Sequence, residues 1–142
     1  MPKRATKLVG DEANFRALFR QYRKSARKRG HKFELTPARF KKLTKSNCYL
    51  CGRPPSSQYK HDSSSRSQTP YIFNGVDRLE NDKGYVRGNI VACCGHCNMA
   101  KGKKSVEAFL LYVYEIYNHA IKPALAEGRP DVETDYIREN IS

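Results

Sequence analysis

Two Cys-x-x-Cys pairs constrain this 142-residue chain more than any other feature of its sequence. Cys48 and Cys51 form the first pair, Cys94 and Cys97 form the second, and residues 52–93 separate them. A two-residue spacer lets both thiolates of a pair reach one ion, and two pairs complete a tetrahedral zinc site. Because four thiolates leave no open position for water, we expect this zinc to stabilise the fold and to do no chemistry.

Two other interpretations of these cysteines are open, namely buried free thiols and a redox-active pair. A redox pair normally stands at the head of a helix that follows a strand of an α/β fold, and this chain has no such alternation. The separation between the pairs exceeds the roughly 15–20 residues of the commonest two-knuckle zinc finger. We expect Cys93, the fifth cysteine, to be a small buried residue.

Positive charge is concentrated at the start of the chain, whose formal net charge is +13. Residues 1–60 contain 17 basic and 3 acidic residues, whereas residues 105–142 contain 3 basic and 7 acidic ones. Counterion release rewards clustered Lys and Arg on a phosphate backbone, so we expect a nucleic acid as partner. The alternative is a solvated face that only keeps the chain soluble. The predicted nucleic-acid contacts of this kind are Arg16, Arg20, Arg23, Lys24, Arg27, Lys28 and Arg87.

Membrane and secreted classes are disfavoured. The longest apolar stretch runs from Ala108 to Tyr114, far short of the roughly 18 residues that a membrane span needs. The first ten residues are basic and lack the apolar segment of a secretory signal. We therefore expect no membrane partner.

The hydrophobic pattern predicts two helices in the basic first part of the chain. Over residues 11–29, apolar residues recur at spacings of three and four, and the basic residues fall largely elsewhere. Thr36 and Pro37 are typical of an N-cap and a first-turn proline, so we expect a second helix with Phe40 and Leu43 facing inward.

The rest of the chain is predicted to contain a loop, a hairpin and two further helices. Residues 53–70 are rich in serine, contain three prolines and have no periodicity, which indicates a mobile surface loop. Residues 76–79 and 89–92 are typical of the strands of a β-hairpin. We expect a short helix at about 98–103 and a longer one at about 106–126, kinked or ended by Pro123.

Three regions follow from these elements. Tyr112, Ile116 and Tyr117 lie on the apolar face of the last helix and would pack on the core or on a second subunit, of which we favour the core. The chain would then be a monomer or a homodimer. The predicted regions are a basic helical region packed on the core (1–46), a zinc-binding module (47–104), and a C-terminal helix with an acidic tail (105–142).

The stretch from Phe73 to Gly102 resembles the HNH (ββα-metal, His-Me finger) endonucleases, above all their zinc-stapled phage and homing-type members. The combination that carries the resemblance is Val76-Asp77, Gly88-Asn89-Ile90-Val91 and Cys97-Asn98, set between the two cysteine pairs. The resemblance extends from Cys48 to about Gly102. It implies an α+β fold with a small treble-clef-like ββα-metal zinc core, flanked by the basic N-terminal helices and a C-terminal helix.

The resemblance also assigns roles to single residues. Asp77 matches the metal-ligand aspartate, and Asn98 matches the second ligand of the catalytic ion. A carboxylate and an amide oxygen suit Mg²⁺ or Mn²⁺, which would keep waters for the substrate phosphate to displace. Asn89 matches the asparagine that braces the hairpin loop, and Lys101 is expected to contact phosphate.

One position departs from the family. Arg78 stands where the family places the histidine that deprotonates the attacking water, and an arginine stays protonated. Arg78 would then bind phosphate or stabilise the transition state, while another base or metal-bound hydroxide takes the proton. His96 and, less so, His61 are candidate bases; His31 and His119 are expected to be ordinary surface or helix residues.

The sequence is consistent with three functions. The leading expectation is metal-dependent hydrolysis of DNA phosphodiester bonds, in the cytoplasm of a bacterium or a phage-infected host cell. The second is a catalytically weak or inactive zinc-bound nucleic-acid-binding module that uses the same basic surface. The third is a protein-interaction domain whose last helix and acidic tail face a partner.

Overall fold

The computed structural model describes residues 10–61, 69–128 and residue 139. The chain divides into two compact units, Met1–Lys103 and Lys104–Ser142, and combines helices with two small antiparallel sheets. Most of the predicted acidic tail lies outside the described residues. In chain order the elements are α1 (Glu12–Lys28), α2 (Pro37–Thr44), β1 (Ser57–Tyr59), β2 (Tyr71–Phe73), β3 (Gly75–Arg78), β4 (Ile90–Cys93), α3 (Gly95–Lys101), α4 (Val106–Ile116), a π-helical segment (Tyr117–Ile121) and α5 (Lys122–Glu127).

Both predicted N-terminal helices are confirmed. In α1 the acidic Glu12 lies in the first turn and basic residues lie in the last, as the helix dipole favours. Thr36 caps α2 by accepting a hydrogen bond from the Arg39 N–H at 3.2 Å, and Pro37 occupies the first turn. Phe40 of α2 is fully buried.

These helices pack on the sheets through one hydrophobic core in the first unit. Aromatic side chains dominate this core, and their ring pairs join α1 to α2 and to the hairpins. Its buried members are Phe15, Leu18, Phe19, Ala26, Leu35, Phe40, Tyr71, Val76, Tyr85 and Ile90. The basic helices therefore belong to the same compact unit as the cysteine pairs.

The loop predicted over residues 53–70 contains a strand. β1 pairs with β2 in antiparallel register, with Gln58 opposite Ile72. Asn14 of α1 binds both ends of the connection between β1 and β2. Its side chain accepts a hydrogen bond from the His61 N–H at 3.1 Å and donates one to the Thr69 carbonyl at 2.7 Å. This anchoring is long-range, so the local composition gave no sign of it; residues 62–68 lie outside the described part.

The predicted β-hairpin is confirmed as β3 and β4, with Asp77 opposite Val91. The segment around Tyr85, however, leaves the hairpin and forms a parallel bridge with Phe33. Gly84 makes this approach possible, since a Cβ there would collide with the backbone of Lys32. The connection between β3 and β4 is thereby tied to the residues that follow α1.

The second unit contains the C-terminal helix in three consecutive segments. Ser105 caps α4 by accepting from the Ala108 N–H at 3.1 Å. The predicted single helix widens into the π-helical segment immediately before α5, whose first turn contains Pro123. Proline lacks an N–H and its ring crowds the preceding turn, and a wider turn is one way in which a helix accommodates such a disruption.

The aromatic stripe of this helix is largely uncovered within the second unit, and its packing on the core stays a prediction. Tyr112, Ile116 and Tyr117 are 49%, 40% and 42% exposed, although Phe109 is buried. Periodicity identifies an apolar face but does not say whether anything covers it. Among residues 10–61 and 69–128, no helix combines the length and the apolar character that crossing a membrane requires.

Candidate functional site

The four predicted zinc-ligand cysteines converge, which confirms a cluster able to hold a metal ion. The sulfur atoms of Cys48, Cys51, Cys94 and Cys97 all lie within 4.8 Å of one another, and the Sγ atoms of Cys51 and Cys94 are 3.7 Å apart. Tetrahedral zinc with Zn–S bonds of about 2.3 Å separates its ligand sulfurs by about 3.8 Å. The donor set and its spacing therefore suit a structural, zinc-like ion.

The first cysteine pair is shaped by a tight backbone turn. Cys48 donates its N–H to the Arg53 carbonyl at 2.8 Å, and Gly52 donates to the Cys48 carbonyl at 2.9 Å. Gly52 has a φ of +75°, a conformation that glycine adopts without steric cost. Tyr49 donates to the Ala92 carbonyl at 2.8 Å, so this turn is attached directly to β4.

A buried amide that the sequence did not reveal supports the same turn. Asn74, which lies between β2 and β3 and is fully buried, donates from Nδ2 to the carbonyls of Ser46 and Arg53 at 3.0 and 3.2 Å. Its backbone N–H also donates to the Thr44 carbonyl at 2.8 Å. Asn74 thus couples the end of α2 to the first cysteine pair.

The second cysteine pair begins α3. Cys94 is the N-cap, and its sulfur accepts from the Cys97 N–H at 3.4 Å. The helix begins at Gly95, so the prediction of a start near residue 98 is wrong. A cysteine followed by glycine is a weak local helix signal, and the start here depends on the sulfur cap and on the approach of the other cysteine pair.

The surroundings of the sulfurs favour a thiolate at one cysteine first. Burial alone would raise the pKa of Cys48, but the N–H groups of Cys94, Cys51 and Leu50 outweigh it and lower that pKa to about 6. Burial and the neighbouring sulfurs raise the pKa of Cys97. Burial, followed by the charge of Cys48, raises the pKa of Cys93 to about 12, so this buried fifth cysteine stays a thiol.

A cavity of about 780 Å³ lies beside the cysteine cluster, between α1, β3, the hairpin connection and α3. Asp77 of β3 and Asn98 of α3, the two predicted ligands of a catalytic ion, both line it. Four cations and one carboxylate face the cavity within the described residues, so it is suited to an anion. The cations are Arg29, Arg78, Lys101 and Lys103.

Asp77 has a lysine as its nearest positive charge. Its Oδ1 accepts from the Arg78 backbone N–H at 2.8 Å, and its Oδ2 lies 3.2 Å from Lys101 Nζ. Oδ2 is buried and accepts no hydrogen bond within the described residues. Lys101 is only 1% exposed. Its ammonium is paired with Asp77, and its contact with a phosphate stays a prediction.

Asn89 braces the connection between β3 and β4 from inside. It is 3% exposed, and its Nδ2 donates to the carbonyls of Glu80, Lys83 and Gly84 at 3.0–3.2 Å. Its Oδ1 accepts from the Glu80 N–H at 2.9 Å. A single satisfied amide therefore holds the backbone of residues 80–84.

Arg78 meets a histidine that was expected to be an ordinary surface residue. Its Nη1 lies 2.9 Å from Nε2 of His31, which follows α1 in the chain. Nothing in the local sequence connects positions 31 and 78, so the sequence pattern does not predict this contact. His96 is exposed, and neither it nor His61 is among the described residues that line the cavity.

The predicted nucleic-acid contacts other than Lys101 are exposed. Arg16 forms an ion pair with Glu12 at 3.2 Å, and Arg23 lies over the ring of Phe19. Those on α1 are Arg16, Arg20, Arg23, Lys24, Arg27 and Lys28, and Arg87 lies on the connection between β3 and β4.

Comparison with known proteins gives a similar protein but no matching family model. No family model matches the chain. The chain is similar to an uncharacterized protein of Acanthamoeba polyphaga mimivirus, with 34% identity over 101 residues. That match spans 71% of this chain but only 16% of the viral protein. No solved structure matches the chain.

We expect the purified protein to contain about one equivalent of zinc, as a single four-thiolate site requires. Cys48→Ser should lose both the metal and the cooperative unfolding transition, because structural zinc binding is coupled to folding. Metal analysis and thermal denaturation measure the two effects. Cys93→Ala is the matched control and should keep its zinc; a Cys48→Ser protein that folds normally without metal would contradict a structural zinc site.

Substitutions of Lys101 and Asp77 should have strongly coupled effects on the free energy of unfolding. Lys101→Met or Asp77→Asn alone should lower the free energy of unfolding by about 3–5 kcal/mol, because each removes one charge of a buried ion pair and leaves the other in place. The double variant should cost less than the sum of the two. Denaturant unfolding of the zinc-loaded variants measures this.

An exposed ion pair is the control for the substitutions at positions 77 and 101. Lys83 pairs with Glu80 in the same hairpin connection, and both side chains are more than half exposed. Lys83→Met should leave the free energy of unfolding almost unchanged, because solvent screens an exposed ion pair. Additive effects of the two substitutions at positions 77 and 101 would show that the buried charges do not interact.

Proposed function

We propose that this chain is an HNH-type endonuclease that hydrolyses DNA phosphodiester bonds with a divalent metal ion. One observation carries the proposal: Asp77 from β3 and Asn98 from α3 line a single cationic cavity beside the four-cysteine cluster. The family resemblance assigns the ion to these two residues, and they come from the strand and the helix that it names. The cavity suits a phosphate because its walls carry four cations.

The residues present fit a hard divalent ion. Asp77 offers a carboxylate with a buried oxygen that lacks a hydrogen bond within the described residues, and Asn98 offers an exposed amide. Two protein oxygens with further positions left to water are typical of Mg²⁺ sites. When bound, such an ion supplies Lewis-acid polarisation of the phosphate and a more acidic water.

The chain's own cations would orient the substrate. Arg78 is able to bind two oxygens of a phosphate through its planar guanidinium, and it remains charged at every working pH. Arg29 and Lys103 extend the same charge along the cavity. The exposed basic residues of α1 and Arg87 would hold the flanking DNA backbone without reading its sequence.

A second candidate function is a catalytically weak or inactive nucleic-acid-binding module that uses the same surface. One observation favours it: Lys101 supplies a positive charge 3.2 Å from Asp77, so this carboxylate already has a cation. The replacement of the expected histidine by Arg78 points in the same direction, because arginine accepts no proton. Loss of a general base lowers a rate by about 10²–10⁴ without abolishing it.

Nicking of supercoiled plasmid separates the two functions. The zinc-loaded protein should convert plasmid to the open circle only with added Mg²⁺ or Mn²⁺, and Asp77→Asn and Asn98→Ala should each abolish nicking. DNA binding should persist in both variants. Gel electrophoresis over time measures the rates.

Asp82→Asn is the matched control, since Asp82 is an exposed aspartate of the same hairpin connection and should nick normally. Nicking that survives both site substitutions would contradict the proposed site. Tight DNA binding by a wild-type protein that never nicks would favour the binding module.

DNA affinity should fall steeply with salt whichever of the two functions holds. Each phosphate contact contributes about 0.9 to the slope of log affinity against log salt. Replacing Arg20 and Lys24 with Gln should therefore reduce the slope by about 2. Fluorescence anisotropy on duplex DNA measures it, with the exposed Lys122→Gln of α5 as a control that leaves the slope unchanged. A flat salt dependence of the wild type would instead favour a protein-interaction domain.

A further inference from the structure

We propose that Tyr22 contacts the substrate, and that its hydroxyl donates a hydrogen bond to a phosphate oxygen of nucleic acid bound beside Asp77. The inference rests on the proposed function and deepens it, because it adds an uncharged donor to a site whose other predicted phosphate contacts are cations. Tyr22 lies in α1 and Asp77 lies in β3, so no local sequence pattern joins them.

Tyr22 belongs to the walls of two neighbouring cavities. It lines the cationic cavity of about 780 Å³, and it also lines a smaller cavity of about 170 Å³. The two cavities share Val76, Asp77 and Asn98 as further lining residues. Among the described residues that line the smaller cavity there is no lysine or arginine. Tyr22 therefore borders the place where a group bound by Asp77 and Asn98 would lie.

The ring of Tyr22 is held in place by the aromatic core. It meets the ring of Phe40 edge-on with centroids 5.0 Å apart, and the ring of Tyr85 edge-on at 6.5 Å. The Tyr22 hydroxyl accepts a hydrogen bond from the Val76 N–H at 3.3 Å. Gly75 makes room for this hydroxyl, because a Cβ at position 75 would lie 3.0 Å from the hydroxyl oxygen. The hydroxyl thus has a fixed place against β3.

The Tyr22 hydroxyl lies on the face of β3 that carries the Asp77 side chain. Side chains alternate between the two faces of a strand, so positions 75 and 77 share a face and are roughly 6.6 Å apart. The hydroxyl lies against position 75, and within the described residues it makes no hydrogen bond with the carboxylate. A separation of this size is bridged by a bound group and not by a direct hydrogen bond.

Both groups have hydrogen-bonding capacity that the described residues leave unused. A tyrosine hydroxyl can accept and donate, and within residues 10–61 and 69–128 the Tyr22 hydroxyl only accepts. In the same part of the chain, the buried Oδ2 of Asp77 accepts no hydrogen bond. Burial raises the pKa of Tyr22 and the charge of Asp77 adds to that rise, so the hydroxyl keeps its proton. A phosphate bound in the cationic cavity offers this proton the acceptor that it lacks.

Tyr71 is the matched control, because it too has a hydroxyl that makes a hydrogen bond inside the core. Its hydroxyl lies 2.8 Å from Thr44 Oγ1, and Tyr71 is among the described residues of neither cavity wall. Tyr22→Phe and Tyr71→Phe each remove one hydroxyl and leave the ring, so both should keep their zinc and lose a small part of the free energy of unfolding. An effect on DNA that is confined to Tyr22→Phe is then not an effect of stability.

The affinity for duplex DNA tests the contact without any activity. Tyr22→Phe should weaken binding by the zinc-loaded protein about tenfold, the effect of one lost hydrogen bond to a charged group. The slope of log affinity against log salt should not change, because no charge is removed. Tyr71→Phe should bind as the wild type does. Fluorescence anisotropy measures both quantities, and a Tyr22→Phe protein with wild-type affinity would overturn the proposal.

NMR on the wild-type protein gives a second test that depends on no variant. In protein whose tyrosines are isotopically labelled at Cζ, this resonance reports on hydrogen bonding by the hydroxyl. The Cζ resonance of Tyr22 should shift when duplex DNA is added, whereas that of Tyr71 should stay in place. A Tyr22 resonance that does not move at saturating DNA would overturn the contact.

Plasmid nicking separates failure of this inference from failure of the proposed nuclease. If the wild type nicks, Tyr22→Phe should lower kcat/KM about tenfold and Tyr71→Phe should not. A wild type that binds DNA but never nicks it contradicts the nuclease, and the DNA affinities then decide the role of Tyr22. A wild type that nicks, beside a Tyr22→Phe protein that binds and nicks equally well, would overturn the role of Tyr22 alone.

Discussion

The convergence of four sulfur atoms is the constraint on which the rest of the first unit depends. It joins the turn after α2 to the junction of β4 and α3, two places far apart in the sequence. Because Cys94 is both a member of the cluster and the N-cap of α3, the cluster fixes where this helix begins. The position of α3 against β3 then brings Asn98 and Lys101 to the cavity that contains Asp77.

The charges of its lining residues determine which ligands that cavity can bind. Asp77 is the single carboxylate among its described lining residues, and it faces both the backbone N–H of Arg78 and the ammonium of Lys101. A buried charge is tolerated when it is paired, so the hairpin and α3 are joined by an ion pair as well as by the cysteine cluster. A divalent ion bound at Asp77, as we propose, would have to share this carboxylate with Lys101, so the affinity of the site for metal decides between the two proposed functions.

Local signals in the sequence predicted most of the helices and strands and the cysteine cluster. The features that they did not predict depend on contacts between residues far apart in the sequence. The spacing of Cys48, Cys51, Cys94 and Cys97 and the cap at Thr36 predicted their structures correctly because each involves neighbours in the chain or a single shared ion. The strand at residues 57–59, the burial of Lys101 and the contact of His31 with Arg78 depend on partners that are distant in the sequence. The exposure of Tyr112, Ile116 and Tyr117 could not be predicted for another reason, since periodicity shows that a face is apolar but not what covers it.

We propose that Asp77 and Asn98 hold one divalent ion beside the four-cysteine cluster. Anomalous diffraction from crystals grown with Mn²⁺ tests it most directly, since oxygen sites for magnesium also accept manganese. We expect a zinc signal amid the four sulfurs and a manganese signal within coordination distance of both the Asp77 carboxylate and the Asn98 amide. A zinc signal alone, with Lys101 still paired to Asp77 at high Mn²⁺ concentration, would contradict it.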